Sequence, residues 1–262
     1  MANMTSSVSA SQVAGELASA TFEEIPALVE HYREDPRQQV IKACERALKR
    51  HAKELAERER VNDMYELMHE LGGDGVVVGV DEVGRGSVAG PLTVCAVCLP
   101  MEPRVWGIND SKKLTPARRE LLSVKIAEVA TAIGFCHIAP KDIDEMGMAR
   151  AIRAAVVGAV ADTGLEPDCV LMDGNPLGAV PNERDVVKGD AKIACIAAAS
   201  IMAKVTRDEM MVEYDAEYPE YHLAESKGYA SPEHIEAICK HGLCPLHRVS
   251  FCGNFLQTER LF

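Results

Sequence analysis

Apolar and polar residues alternate on two different periods along this chain, and the change falls near residue 75. In VIKACERALKRHAKELAERERVNDMYELMHELGG the apolar positions recur every three to four residues, with Lys and Arg on the opposite face, which is the period of an amphipathic helix. Asp35 and Pro36 open this segment and Gly72 and Gly73 close it, while Thr21 and Glu24 form a capping box ahead of a shorter helix. From residue 76 the pattern predicts strands alternating with helices. GVVVGV and PLTVCAVCLP are two strands joined by a glycine-rich turn, close enough in sequence to pair antiparallel. A helix runs from Thr115 and Pro116 to about Thr131, and AIGFCHIA is a third strand. Residues 140–162 are helical, DCVLMD is a fourth strand, and a long helix begins after VVKGD, followed by another near 231–241. The expected organisation is a disordered stretch over 1–20, a helical extension over 21–73 and an α/β domain over 76–262.

Composition narrows the class. The chain has 262 residues, 47% of them hydrophobic, enough for one large core and a smaller appendage. It has no run of eighteen apolar residues, and MANMTSSVSASQ has neither a basic start nor an apolar signal core, so a cytoplasmic protein without a membrane segment is expected. The nine cysteines sit mostly in apolar runs and read as reduced packing residues. Cys95 and Cys98, three apart in a strand, point to opposite faces. Cys239, His241, Cys244, His247 and Cys252 fit no common zinc spacing. A net charge of −12 excludes a surface coated by nucleic acid but leaves room for a local basic groove.

The chemistry lies in the acids. Asp81 and Glu82 follow the first strand, Asp173 follows the fourth, and Asp190 opens the long helix, where it would also serve as an N-cap. Taken alone, adjacent acids in a glycine-rich stretch are ordinary turn residues. Four carboxylates at strand ends and helix starts instead form a set that repels itself when empty and suits hard divalent cations, Mg2+ or Mn2+, with oxygen ligands. Two such ions favour phosphodiester hydrolysis.

VDEVGRG, NDSKKL at 109–114, MDGN at 172–175, VVKGD at 186–190, AAASIMAKVTRD at 197–208, KGY at 227–229 and HRVSF at 247–251 together resemble the bacterial ribonuclease HII family. The resemblance implies a ribonuclease H-like fold, a five-stranded mixed sheet flanked by helices, here with an N-terminal helical extension. It implies an endoribonuclease that cuts 5′ to ribonucleotides in duplex DNA and cleaves the RNA of RNA–DNA hybrids, leaving a 3′-hydroxyl and a 5′-phosphate, and so starts ribonucleotide excision repair. Asp81, Glu82, Asp173 and Asp190 become the catalytic, metal-binding acids. Gly84, Arg85 and Gly86 offer open backbone to a 2′-hydroxyl in the minor groove. Ser111, Lys112, Lys113 and Lys188 are expected against the substrate, and Ser200 and Lys204, four apart on a helix, against one phosphate. Tyr229 is expected on the sugar 3′ of the ribonucleotide. Ribonuclease HIII is similar in the acidic pair but lacks the glycine-arginine-glycine and has a sheet at its N-terminus.

Two departures from the family pattern stand out. Val249 replaces an arginine common in relatives, leaving Arg248, and Ser87 stands where proline is common, which predicts a looser turn. Lys42, Arg46, Lys49, Arg50 and Lys53 form a basic helix face suited to phosphates. The tail QTERLF resembles short peptides that dock on sliding clamps, with one extra intervening residue, and a monomer is expected by resemblance.

Overall fold

The computed structural model describes residues 8–256. It forms two compact units that divide between Asn62 and Asp63. The first holds α1 (Ala10–Ser19), α2 (Ile25–His31) and the first part of α3 (Gln38–Gly72). Helix α1 corrects the expected disorder over 1–20, of which residues 1–7 lie outside the described residues. Ser9 and Gln12 cap α1 reciprocally, and Val13 and Leu17, one helical turn apart, are buried in a cluster with Ile25, Tyr32, Val40, Ala43 and Ala47. Only two large apolar residues in ten, the other apolar positions being alanines, carry a faint periodic signal. Long-range capping supplies the rest, because Arg50 donates to the carbonyls of Leu17, Ala18 and Ala20 at the end of α1.

The unit boundary falls inside α3 rather than at Gly72 and Gly73, because the last turns of the helix belong to the second core. Met64, Tyr65 and Met68 are buried there, and the Tyr65 hydroxyl accepts the Val105 N–H at 2.9 Å. The second unit continues with β1 (Val77–Val83), β2 (Leu92–Cys98), α4 (Pro116–Val129), β3 (Ala132–Ile138), α5 (Pro140–Met146) and α6 (Met148–Asp162). It ends with β4 (Cys169–Asp173), β5 (Glu183–Val186), α7 (Ala194–Glu217), α8 (Leu223–Ser226), α9 (Pro232–His241) and α10 (Val249–Leu256). Among the described residues no helix is long and apolar enough to cross a membrane.

The five strands form one mixed sheet in the order β3-β2-β1-β4-β5. The pairs β1–β2 and β2–β3 are antiparallel, while β1–β4 and β4–β5 are parallel. Val78, Val80, Val94 and Ala96 pack with Ile152, Val156 and other α6 residues. On the other face of β1 the α7 backbone lies so close that a Cβ at Gly79 would strike the Cys195 carbonyl group and come within 2.5 Å of the Ile196 nitrogen. Side chains alternate along a strand, so Asp81, two residues beyond Gly79, faces the same helix.

Candidate active site

The sheet brings three of the four acids to one end of adjacent strands. Val80 pairs with Met172, so Asp81 and Asp173 are the next residues along neighbouring parallel strands. Asp190 arrives on a separate 3-10 turn, Gly189–Ala191, which the Gly189 N–H ties to Asp173 Oδ1 at 2.6 Å. Asp190 does not cap the long helix as expected: α7 starts at Ala194, with Ile193 at its N-cap position. The preceding turn pulls Asp190 toward the other acids, and Lys188 takes a left-handed conformation at φ 59° to make it.

Burial and mutual repulsion set the charge state. Burial pushes Asp81 well above the ordinary carboxylate range; Glu82 and Asp173 add to this, and the Ser200 hydroxyl opposes it. Glu82 is raised by burial, against the pull of Arg85, with Asp173 adding to the rise. Asp190 is raised by burial, then by Asp173 and by Asp110, an acid that strand-end reasoning missed. Burial works against the Lys112 ammonium, yet Asp81, Asp190, Asp110 and Asp173 outweigh it and raise its pKa. Lys112 therefore sits in the field of the cluster.

Four carboxylates supply the all-oxygen donor set that a hard divalent cation takes, and the upward shifts of Asp81, Glu82 and Asp190, caused first by burial and then by neighbouring acids, mark charge that such a cation would offset. Among the described residues no three His, Cys, Asp or Glu side chains stand close enough to enclose an ion. The donor chemistry fits a cation held by a few carboxylates and completed by water and substrate oxygens, as magnesium commonly is.

The two glycines beside Arg85 do different work. Gly84 is buried at φ 83°, and a Cβ there would fall on Arg207 Nε and lie 2.8 Å from the Pro91 oxygen. Gly86 is exposed, with nothing within 4 Å of its Cβ position. Of the three residues expected to present open backbone, Gly86 does so, whereas Gly84 is required from inside. Arg85 is exposed, its Nη1 3.7 Å from Glu82 Oε1. Ser87 does not loosen the turn as expected, since its hydroxyl donates to the Gly84 carbonyl at 2.9 Å and accepts from Arg207 Nη2 at 2.8 Å. Arg248, the arginine left beside Val249, is fully buried and donates to the carbonyls of Gly90 and Arg85. The Val88 and Ala89 N–H groups donate to the Gly228 carbonyl, so the KGY segment rests against the turn, with Tyr229 40% exposed.

The remaining candidates separate. Ser111 and Ser200 are both buried and share a 2.9 Å hydrogen bond beneath Asp81, whereas Lys204 turns to Asp208 at 2.7 Å, so these two do not jointly face one phosphate. Lys113 is exposed near Asp110, and Lys188 is exposed. In the Cys- and His-rich stretch, His247 Nε2 lies 3.1 Å from His234 Nε2, its Nδ1 accepts the Cys244 N–H, and the Cys252 thiol donates to Val88. Arg207 was missed. The signal was a charge at a buried helical position, one turn from Ala203 and one from Met211, both fully buried.

Comparison with known proteins agrees with this geometry. The family model described as ribonuclease HII matches residues 78–254, and that of the ribonuclease HII N-terminal domain matches residues 9–71. A ribonuclease HII of Ruminiclostridium cellulolyticum is 44% identical over 204 residues, covering 77% of this chain and 80% of the relative. The crystal structure of ribonuclease H2 from Pyrococcus horikoshii superposes with a TM-score of 0.61 at 27% identity, covering 71% of this chain and 99% of that one. A complex of PCNA with ribonuclease HII from Archaeoglobus fulgidus matches with a TM-score of 0.58 at 25% identity, covering 66% and 94%. Sheet order, acids and both family matches lead to one conclusion: the chain belongs to the ribonuclease HII family, and is a hydrolase of the ribonuclease H type.

Proposed function

We propose that this ribonuclease cuts 5′ to a ribonucleotide embedded in duplex DNA, as well as the RNA strand of RNA–DNA hybrids, leaving a 3′-hydroxyl and a 5′-phosphate and starting the removal of misincorporated ribonucleotides. The observation that carries the reading is that the acid-bearing end of β1 runs directly into the turn whose exposed Gly86 backbone a minor groove could approach. Asp81, Glu82, Asp173 and Asp190 would hold Mg2+ or Mn2+. When bound, the cations supply the charge that activates water and stabilises the leaving oxygen. The protein's own groups do the rest. Ser200 holds the Asp81 carboxylate, Lys112 offsets the acids' charge where the scissile phosphate must enter, and Lys113 and Lys188 are exposed for flanking phosphates. Gly86 would meet the 2′-hydroxyl, and Tyr229 the deoxyribose on its 3′ side, whose apolar face suits an aromatic ring.

The C-terminal QTERLF lies outside the described residues. Its likeness to clamp-docking peptides, and the PCNA complex of the Archaeoglobus fulgidus relative, support a sliding-clamp contact. The deciding assay is cleavage of a duplex with one ribonucleotide in magnesium by the wild type and Asp81→Asn. Cleavage 5′ to the ribonucleotide that Asp81→Asn abolishes is expected; binding without cleavage by the wild type would make the chain a silent binding module instead.

A further inference from the structure

Beneath the turn that follows β1 lies a guanidinium whose hydrogen bonds, among the described residues, go to no carboxylate. Arg207 is fully buried on α7 and uses its donors on two different segments of chain. On the turn after β1 it donates from Nε to the Pro91 carbonyl at 2.9 Å, and from Nη2 to Ser87 Oγ at 2.8 Å and the Ala89 carbonyl at 3.1 Å. On the KGY segment it donates from Nη1 to the Lys227 carbonyl at 2.8 Å, and its Cζ lies 5.7 Å from the Tyr229 ring centroid. The backbone leaves no slack around this bridge. Gly84 and Gly228 both lack the space for a Cβ, the first against Arg207 and the second against the Ala89 carbonyl.

We propose that Arg207 is a positioning residue that sets the register between the two halves of the substrate reader, the Gly84–Ser87 turn and Tyr229. The proposal rests on the reading above, in which Gly86 meets the 2′-hydroxyl that must be present and Tyr229 the sugar that should lack one. One planar fork bonded to both segments fixes the distance between those two contacts, and so fixes which dinucleotide step fits. Ser87 makes the bridge adjustable by mutation, since its hydroxyl is at once an acceptor from Arg207 and a donor to the Gly84 carbonyl. Arg207 touches no substrate in this role. It acts through the two turns.

The test compares kcat/KM on two duplexes, one with a single ribonucleotide and one with four in a row, for Arg207→Lys and Ser87→Ala alongside thermal melting. A merely structural role lowers the folded fraction and reduces both activities by one factor, leaving their ratio unchanged. Loss of register lowers the single-ribonucleotide activity more, because only that substrate places a deoxyribose under Tyr229 after every cut. The expected fall in the ratio is about tenfold for Arg207→Lys and about threefold for Ser87→Ala. Adding Tyr229→Ala to Arg207→Lys is expected to lower the ratio no further, as residues acting through one contact are not additive. If Tyr229→Ala alone shifts the ratio while Ser87→Ala and Arg207→Lys do not, the positioning role is wrong and the junction reading stands. If Tyr229→Ala and Gly86→Ala also leave the ratio unchanged, the reading itself fails. Should Arg207→Lys not fold, Ser87→Ala decides by the same ratio.

Discussion

Alanine at Gly84 and alanine at Gly86 add the same methyl group two residues apart, and the structure predicts opposite consequences. At position 84 the new side chain meets a φ of 83°, which costs an L-residue about 1–2 kcal/mol. It also lands on Arg207 Nε, whose bond to the Pro91 carbonyl must break or lengthen. A hydrogen bond from a charged donor contributes about 1.5–3 kcal/mol, so the total is roughly 3–5 kcal/mol. For a domain of this size each kcal/mol moves the midpoint by about 2–4 °C, which gives a fall of roughly 6–20 °C. At position 86 the methyl group enters open space with φ outside the left-handed region, and stability should stay within about 0.5 kcal/mol of wild type. The substrate is what it would strike, so kcat/KM on a single-ribonucleotide duplex should drop about tenfold or more. Melting curves and initial rates on the two purified variants measure both effects. A Gly84→Ala protein melting within about 1 °C of wild type, or a Gly86→Ala protein with wild-type kcat/KM, would refute the division of labour between the two glycines.

Three further outcomes follow from the same structure. Asp81→Asn should lower turnover by about three orders of magnitude, yet raise the melting temperature at neutral pH in a chelating buffer, because the amide removes a charge that burial disfavours; an unchanged rate or a lower midpoint counts against it. His247 is held down to about 4, by burial first and by His234 second, so the folded state keeps it neutral while the unfolded chain protonates it. Its contribution to stability should be complete above about pH 6.5 and lost as pH falls toward about 4, and the difference in midpoint between wild type and His247→Asn across that window should track the loss. Deleting residues 1–62 should leave a folding catalytic unit with a higher KM and a shallower salt dependence, whereas deleting 1–72 also removes the buried Met64, Tyr65 and Met68 and should cost several kcal/mol, on the order of one core truncation for each residue; equal midpoints for the two truncations would place the boundary elsewhere.

Periodicity and spacing revealed the strands that carry chemistry because those strands are apolar on both faces. Val77–Val83, Leu92–Cys98 and Cys169–Asp173 stand out as runs, and the acids stand out against them. Strand β5 did not, since ERDV holds one apolar residue and is a half-exposed edge. The one helix expected over 140–162 is two, broken at Gly147, whose φ of 82° no periodic pattern records. Arg50, Arg207 and Arg248 were misread or missed for a shared reason. Each donates to main-chain carbonyls remote in sequence, and the partners of such a side chain are set by tertiary packing rather than by its neighbours. The basic face of α3 is correspondingly smaller than its composition implies, with Arg50 turned to the end of α1 and Arg46 bonded to the Lys42 carbonyl.

A protein with a net charge of −12 repels a polyanion at long range, and the two buried arginines bear on how it still receives one. Arg248 is lowered to about 10 by burial and by Arg207 beside it, so it keeps its proton at neutral pH, and both donate to neutral carbonyl and hydroxyl oxygens. Their positive potential therefore emerges through the 84–91 turn from a medium that dissolved ions do not enter. Mobile salt screens an exposed lysine within about 8 Å at physiological ionic strength, but it screens a buried charge much less. Attraction at the turn should thus persist in salt that strips the exposed lysines of theirs, which makes close docking at the junction reader more salt-tolerant than the capture of flanking duplex.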